Sequence, residues 1–182
     1  MPRRRLLAIV CVLAPAVARA DGESAASVEA GWASFSTVGK KVGTMEPPSL
    51  SPDWGTNLAF VYERELSSDL YVRAEGAGAY FSGGNQAKQT DSSYAVLADV
   101  GVLFRFDVLR DVPYAFGGIG GVMSGGGPIN RGEDFVVVVG GGLDWLQTRK
   151  RSYGFDAKVA SFGGNITVLT INLRATARWG LF

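Results

Sequence analysis

The residues of this chain that could do chemistry are its carboxylates and cations, because the sequence contains no histidine. Without an imidazole, Ser-His-Asp and Cys-His mechanisms and histidine metal sites are excluded. Glu63 and Glu65 fall on one face of a predicted strand, and Glu75 follows on the next strand. Neighbouring carboxylates can do acid–base work or bind a cation. They can also form salt bridges with cations close by.

Cations are interleaved with these carboxylates, which favours a salt-bridge network over a catalytic site. Charges enclosed by a fold need partners, and the interior of an eight-stranded barrel is just wide enough to be filled by side chains. We therefore expect a non-enzymatic protein without a cofactor or metal. The predicted interior network comprises Glu29, Glu63, Glu65, Arg73, Glu75, Asp99, Arg105, Asp144, Asp156, Lys158, Arg174 and Arg178.

Two ion pairs of this network follow from the expected strand pairing. A tight hairpin between the second and third strands would place Glu63 opposite Arg73 on the same face. Glu29 would meet Arg174 or Arg178 where the last strand pairs with the first.

The last stretch of the chain shows which elements hold these charges. From residue 169 to residue 179, every odd position is apolar and every even position is Thr, Asn or Arg. Successive side chains of a strand point to opposite sides, so this segment has one apolar and one polar face.

The same two-faced pattern recurs along the chain. We predict strands at 27–37, 55–66, 70–81, 94–107, 112–123, 134–147 and 153–161, and a last strand from 166. Long and short connections alternate, except for a short final connection at 163–165. Strands of about ten residues with this alternation are typical of membrane-spanning barrels. We therefore predict an all-β fold, an eight-stranded antiparallel up-and-down transmembrane β-barrel that follows a cleaved signal peptide.

Aromatic residues on the apolar faces fall mostly near the strand ends, as in the aromatic belts of membrane proteins. In the fifth strand, the pattern places Tyr114, Phe116 and Val122 on the apolar, lipid-facing side. The predicted girdle comprises Trp32, Tyr62, Tyr80, Tyr94, Phe104, Tyr114, Trp145, Tyr153 and Trp179.

The N-terminus is typical of a secretory signal peptide. Three arginines precede an apolar run at 6–17, and Ala18-Arg19-Ala20 forms a small-x-small cleavage site. We predict a signal peptide at 1–20 and a single barrel domain at 21–182. Cleavage removes Cys11, the only cysteine, and four arginines, which leaves the mature chain net negative. This balance does not favour nucleic-acid binding.

The alternation alone is compatible with a secreted soluble barrel whose apolar face encloses a ligand. Three features favour the membrane. The polar faces are sparse and rich in Gly and Ala, their charges can pair, and neither a disulfide nor a helix is visible.

With its signal peptide, its eight strands and its terminal Phe182, the chain resembles the small outer-membrane β-barrel proteins of Gram-negative bacteria, the OmpA/OmpX/OmpW-like group. The resemblance implies a location in the bacterial outer membrane, with both termini periplasmic. It also implies two partners, the lipid of that membrane and the outer-membrane assembly machinery, which reads a terminal aromatic residue. Trp179 and Leu181 share the outward parity and Phe182 does not, so any of the three could be that residue.

Three functions agree with this interpretation. The first is a structural or surface-interaction barrel with a filled lumen, which would recognise partners through the loops at 40–54 and 82–93. The second is a narrow channel for small or apolar solutes, with a water path past Gly101, Gly117 and Gly140. The third is the secreted soluble lipocalin-like barrel that binds an apolar ligand.

The basic turn Arg149-Lys150-Arg151 is either a solvated turn or a binding site for anionic phospholipid or another periplasmic partner.

Overall fold

The computed structural model describes residues 22–38, 49–83, 92–106, 110–129, 132–163 and 166–180. The predicted signal peptide and the terminal pair Leu181-Phe182 lie outside these residues, so cleavage and the assembly signal stay predictions. Parts of the two predicted recognition loops also lie outside them.

The described residues form eight long strands and one two-residue strand. The strands are β1 (Ser24–Val38), β2 (Ser49–Leu50), β3 (Trp54–Ser67), β4 (Leu70–Ser82), β5 (Ser93–Arg105), β6 (Asp111–Gly125), β7 (Gly132–Thr148), β8 (Arg151–Phe162) and β9 (Ile166–Trp179). A 3-10 turn at Gly127–Ile129 precedes β7. Among the described residues, no helix is long and apolar enough to cross a membrane.

The eight long strands close into an antiparallel barrel. From β3 to β9 each strand pairs with the next one along the chain, and β1 pairs with both β3 and β9. The closing seam runs from the pair Ser24–Trp179 to the pair Thr37–Ile166. The short β2 adds to the end of β1 through Thr37–Leu50. The prediction of an eight-stranded up-and-down barrel is therefore confirmed.

The two ends of the barrel differ. The connections β3–β4, β5–β6 and β7–β8 lie at one end, together with the start of β1 and the end of β9. The connections that follow β1, β4, β6 and β8 lie at the other. We call these the short-turn end and the loop end. In outer-membrane barrels, the short turns face the periplasm and the longer loops face the outside.

The apolar face of each strand points outward. In β9, Leu173 is 76% exposed whereas the next residue, Arg174, is 2% exposed. A soluble barrel that holds an apolar ligand would show the opposite arrangement, so the lipocalin-like alternative is wrong. Within the described strands, charge occurs at outward positions only near strand ends, at Arg64, Asp111, Glu133 and Arg151.

The predicted face assignment is wrong for one strand, β6. Tyr114, Phe116 and Val122 are buried inside the barrel, whereas Ile119 and Met123 face outward. This strand contains five glycines between residues 117 and 125, so its sequence carries little alternation from which to read a direction. The large side chains turn inward because β7 places Gly140 and Gly142 beside them. A Cβ at Gly140 would collide with Phe116, and one at Gly142 would collide with Tyr114.

Candidate functional site: the filled lumen

Nearly all of the charges that were predicted to lie in the lumen are found there. Eleven of the twelve are buried inside the barrel. The exception is Glu65, which is partly buried at the short-turn end and accepts a hydrogen bond of 2.8 Å from the backbone N–H of Glu23. Because successive side chains of a strand point to opposite sides, these charges lie at inward positions, and every long strand except β6 contributes at least one of them.

The centre of the network is Glu63 on β3, which two arginines clamp. Arg174 on β9 approaches one carboxylate oxygen at 2.5 Å, and Arg105 on β5 donates to the other. Arg174 also donates to the hydroxyl oxygens of Ser27 at 2.8 Å and Thr176 at 3.1 Å. The two contacts with Glu63 join strands that are not neighbours in the sheet, so they brace the barrel across its interior.

A second group of charges contains Arg73, Glu75 and Lys158. Glu75 accepts hydrogen bonds from both Arg73 and Lys158. Arg73 also lies 3.4 Å from Asp99, and Lys158 lies 3.6 Å from Glu29. The carboxylate oxygens of Glu29 have no hydrogen-bond partner among the described residues, so the nearby cations compensate this charge without direct bonds.

A third group lies toward the short-turn end. Arg178 donates to Asp144 at 2.9 Å, and Asp144 also accepts a hydrogen bond of 3.3 Å from Ser152. Glu23 lies 3.2 Å from Arg105 and 3.8 Å from Arg178. Glu23 was not predicted as a member of the network. It precedes β1 and lies before the alternating pattern from which the prediction was made.

One of the two predicted ion pairs is wrong. Glu63 and Arg73 are direct cross-strand neighbours, as the hairpin register predicted. Their ionic partners nevertheless lie elsewhere. Glu63 pairs with Arg105 and Arg174, whose long side chains reach it past an intervening strand. Arg73 pairs with Glu75 on its own strand and with Asp99 on the next. The predicted meeting of Glu29 with Arg174 is present at 3.8 Å, between residues that face each other across the seam.

Aromatic rings inside the lumen hold the guanidinium groups in place. Arg105 lies 4.0 Å from the ring centre of Tyr71, and Arg73 lies 4.0 Å from that of Phe116. Arg174 lies 4.9 Å from the ring centre of Tyr114. Cations placed over aromatic faces in this way are stabilised by the ring quadrupole. The contacts of Arg73 and Arg174 with rings could not be predicted, because the sequence pattern places Phe116 and Tyr114 on the lipid face.

Toward the loop end the lumen is filled with apolar side chains. Phe35 and Phe81 are in edge-to-face contact, with ring centres 5.1 Å apart. The packing around them is completed by the buried residues Leu97, Val122, Ile129, Val136, Val138, Phe162, Ile166 and Val168. A cavity of about 30 Å³ lies beside Leu97, Thr170 and Lys158, where this apolar layer meets the charged layer. Such a space is suited to a water molecule and is too small for a larger solute.

The glycines proposed to line a water path do not line one. Gly101 faces the lumen, but an added Cβ there would collide with the backbone of β6. Gly140 packs against Phe116, and Gly117 lies on the outward face of β6. No group of three or more potential metal ligands occurs among the described residues. The described part of the lumen is therefore a packed, ion-paired interior.

Most residues of the predicted aromatic girdle lie on the outer face of the barrel, mainly near the ends of the strands. Tyr80 and Tyr94 are cross-strand neighbours near the loop end, and Trp145 and Tyr153 are neighbours near the short-turn end. Tyr114 is the one predicted member that is wrong, because it is 4% exposed and lies in the lumen. Those that are exposed on the outer face are Trp32, Tyr80, Tyr94, Phe104, Trp145, Tyr153 and Trp179, with Tyr62 partly buried beside Trp179.

The sequence matches no protein-family model and no curated protein. Solved structures with a similar fold include Neisserial surface protein A, NspA, at 11% identity and a TM-score of 0.59, covering 85% of this chain and 96% of NspA. Ail, the attachment invasion locus protein of Yersinia pestis, in complex with the heparin analogue sucrose octasulfate, is 18% identical with a TM-score of 0.56 and covers 88% of this chain and all of Ail. This chain has the fold of the small outer-membrane β-barrels.

The outer-membrane enzyme PagL also has this fold, at 15% identity and a TM-score of 0.50, covering 83% of this chain and 98% of PagL. The predicted outer-membrane location is confirmed, since Ail and PagL are outer-membrane proteins and the outer face of this barrel is apolar. Ail is an attachment invasion locus protein and PagL is an enzyme, so the shared fold does not determine the role of this barrel.

Proposed function

We propose that the protein is a non-enzymatic outer-membrane scaffold with a closed lumen, whose work is done at its surface. The observation that carries this proposal is the filling of the lumen by two successive layers. The charged layer centred on Glu63 and Arg174 occupies the short-turn half, and the apolar layer around Phe35 and Phe81 occupies the loop half. A solute that crossed the barrel would have to displace both layers.

The absence of enzymatic activity is supported by the residues of the lumen. The sequence has no histidine to act as a base. Carboxylates that could replace it, such as Glu63 and Glu75, are buried and each is bonded to two cations. A substrate would not reach them without unfolding the network. The surface role is assigned to the connections at 40–54 and 82–93, because loops on a rigid scaffold are the usual site of binding.

Conductance of single barrels in a planar bilayer tests the closed lumen. After gel mobility has shown that the purified mature protein is folded and inserted, we expect no current steps. Two single variants, Phe81→Ala in the apolar layer and Arg174→Ser in the charged layer, should also stay silent because the other layer remains. A porin of known conductance, inserted in the same bilayer, shows that the assay can detect an open barrel. Steady steps from the unaltered protein would overturn the proposal and make permeation the leading function.

A further inference from the structure

A groove runs along the outer surface where the chain closes on itself, and we call it the seam groove. Small side chains form its floor, namely Ala175 and Ala177 on β9 and Ala26 and Val28 on β1. Tyr153 on β8 and Phe60 on β3 stand on either side of it, because the register places both in one row with Ala175 and Val28. The groove has a volume of about 350 Å³ and is lined mainly by apolar atoms.

Cations lie at the end of the seam groove nearest the short turns. Arg151 lines the groove directly and is the cross-strand neighbour of Ala177. Arg149 and Lys150 precede it in the exposed turn, and no salt bridge joins these three side chains to any described residue. On the opposite side, Arg64 of β3 donates a hydrogen bond of 3.4 Å to the hydroxyl of Ser24.

No negative charge faces the seam groove from the strands that form it. The outward positions of β8, β9, β1 and β3 contain no acidic residue, and all of these positions are described. The acidic residues of these strands, such as Glu29, Glu63 and Asp156, point into the lumen. The groove therefore combines an apolar bed with a positive end. Its positive end is at the short turns, which face the periplasm in barrels of this fold.

We propose that the seam groove binds an anionic phospholipid of the periplasmic leaflet. An acyl chain lies on the floor formed by Ala26, Ala175 and Ala177, where small side chains let it approach the backbone. The phosphate lies at the mouth of the groove, where Arg151 donates to its oxygens and Lys150 adds a positive charge. A guanidinium group presents paired donors that match phosphate oxygens. This site goes beyond the closed-lumen function and does not depend on it.

A second outer groove provides an internal comparison. It lies between β1, β3, β4 and β5, has a volume of about 380 Å³, and is lined by apolar residues including Leu58, Gly78, Tyr80 and Tyr94. None of the described residues that line it is charged. The two grooves have similar size and apolar character, so a preference for anionic lipid at the first is attributable to its cations.

Native mass spectrometry of the purified mature protein tests the proposal. The folded barrel is incubated in detergent with equal amounts of phosphatidylglycerol and phosphatidylcholine, and the retained lipid adducts are counted. We expect phosphatidylglycerol to be retained in preference. Removing one cation, in Arg151→Gln, should weaken its retention about fivefold, the effect of one basic residue at an anionic lipid surface. Filling the floor, in Ala177→Phe, should also reduce retention.

The matched control is Arg110→Gln, which removes an exposed cation from another turn at the same end of the barrel. This control should retain phosphatidylglycerol like the unaltered protein. All three substitutions lie on the outside, and gel mobility verifies that each variant is folded. Equal retention of the two lipids, an Arg110→Gln effect equal to that of Arg151→Gln, or unchanged retention in Ala177→Phe would overturn the proposal. The proposal would also be overturned if the unaltered protein formed a dimer in lipid-free detergent and Ala177→Phe abolished that dimer, because a second copy of the chain would then occupy the groove.

Discussion

Replacing Arg174 with Met tests whether the buried charges stabilise the barrel as a network. Met replaces the aliphatic stem of the arginine side chain and removes its guanidinium group. In the structure, that group lies 2.5 Å from Glu63 and 3.8 Å from both Glu29 and Asp144. The substitution therefore removes one cation from three buried carboxylates at once.

The expected loss in the free energy of unfolding depends on the cations that each carboxylate keeps. Glu63 keeps Arg105, Glu29 keeps Lys158, and Asp144 keeps Arg178. Breaking a buried ion pair by removing one partner costs about 3–5 kcal/mol. Since none of the three carboxylates loses its last cation, we expect the low end, about 3 kcal/mol.

Equilibrium unfolding by urea in lipid vesicles, followed by tryptophan fluorescence, measures this cost. With a slope of about 2 kcal/mol per molar urea, a loss of about 3 kcal/mol lowers the midpoint by about 1.5 M. The control is Arg110→Met, an exposed turn residue, which should change the free energy of unfolding by no more than about 0.5 kcal/mol. Adding Glu63→Gln to Arg174→Met should cost less than the sum of the two single changes, because the removed pair is then counted once.

A result within the range of the Arg110→Met control would refute this reasoning. It would mean that water reaches Arg174 and Glu63 and screens their interaction, and therefore that the charged half of the lumen is hydrated. The closed-lumen proposal would lose one of its two layers. Strict additivity of Arg174→Met and Glu63→Gln would show instead that these two residues stabilise the barrel independently.

The same urea assay tests two further expectations. Gly142→Ala should destabilise the barrel by about 1–3 kcal/mol, because the new Cβ would collide with the backbone oxygen of Phe155, whereas Gly76→Ala has open space and should be neutral or slightly stabilising. Equal midpoints for these two variants would show that the lumen beside β7 is loosely packed. Val100→Arg, in the middle of the outer face of β5, should cost about 2–4 kcal/mol, and Ser161→Arg, at a strand end, about 0–1 kcal/mol. Equal costs for the two arginines would mean that the outer face does not lie in hydrocarbon.

The strands and the direction of most of their faces could be read from the sequence because a pleated strand has a fixed period of two. In β9, that period separates Leu173 from Arg174 without ambiguity. The register of the β3–β4 hairpin followed from its tight turn. The partners of the charges did not follow in the same way. Arg174 on β9 reaches Glu63 on β3 past the intervening β1, and reasoning from adjacent strands does not consider such contacts.

The apolar half of the lumen was also not predicted, and the reason is physical. Phe35 and Phe81 occupy inward positions, whereas the sequence pattern predicts polar residues inside the barrel and apolar residues outside. A barrel interior is closed off from water at both ends once it is packed, so its inward face can change from charged to apolar along one strand. Within β4, the inward positions change from Arg73 and Glu75 to Ala77 and Phe81 over a single strand length.

The inward turn of the large β6 side chains and the placement of the arginines in the lumen are connected, and the connection bears on how the lumen is closed. Tyr114 and Phe116 turn inward because Gly140 and Gly142 leave space for them, and each ring then supports an arginine of the network. The rings restrict where the guanidinium groups can lie, and the one supported by Tyr114 reaches Glu63 on the non-adjacent strand β3. Closure of the lumen therefore depends on complementary volumes in β6 and β7 as much as on opposite charges. A substitution such as Gly142→Ala, which carries no charge, should disturb the ion pairs of Arg174 by displacing the ring of Tyr114.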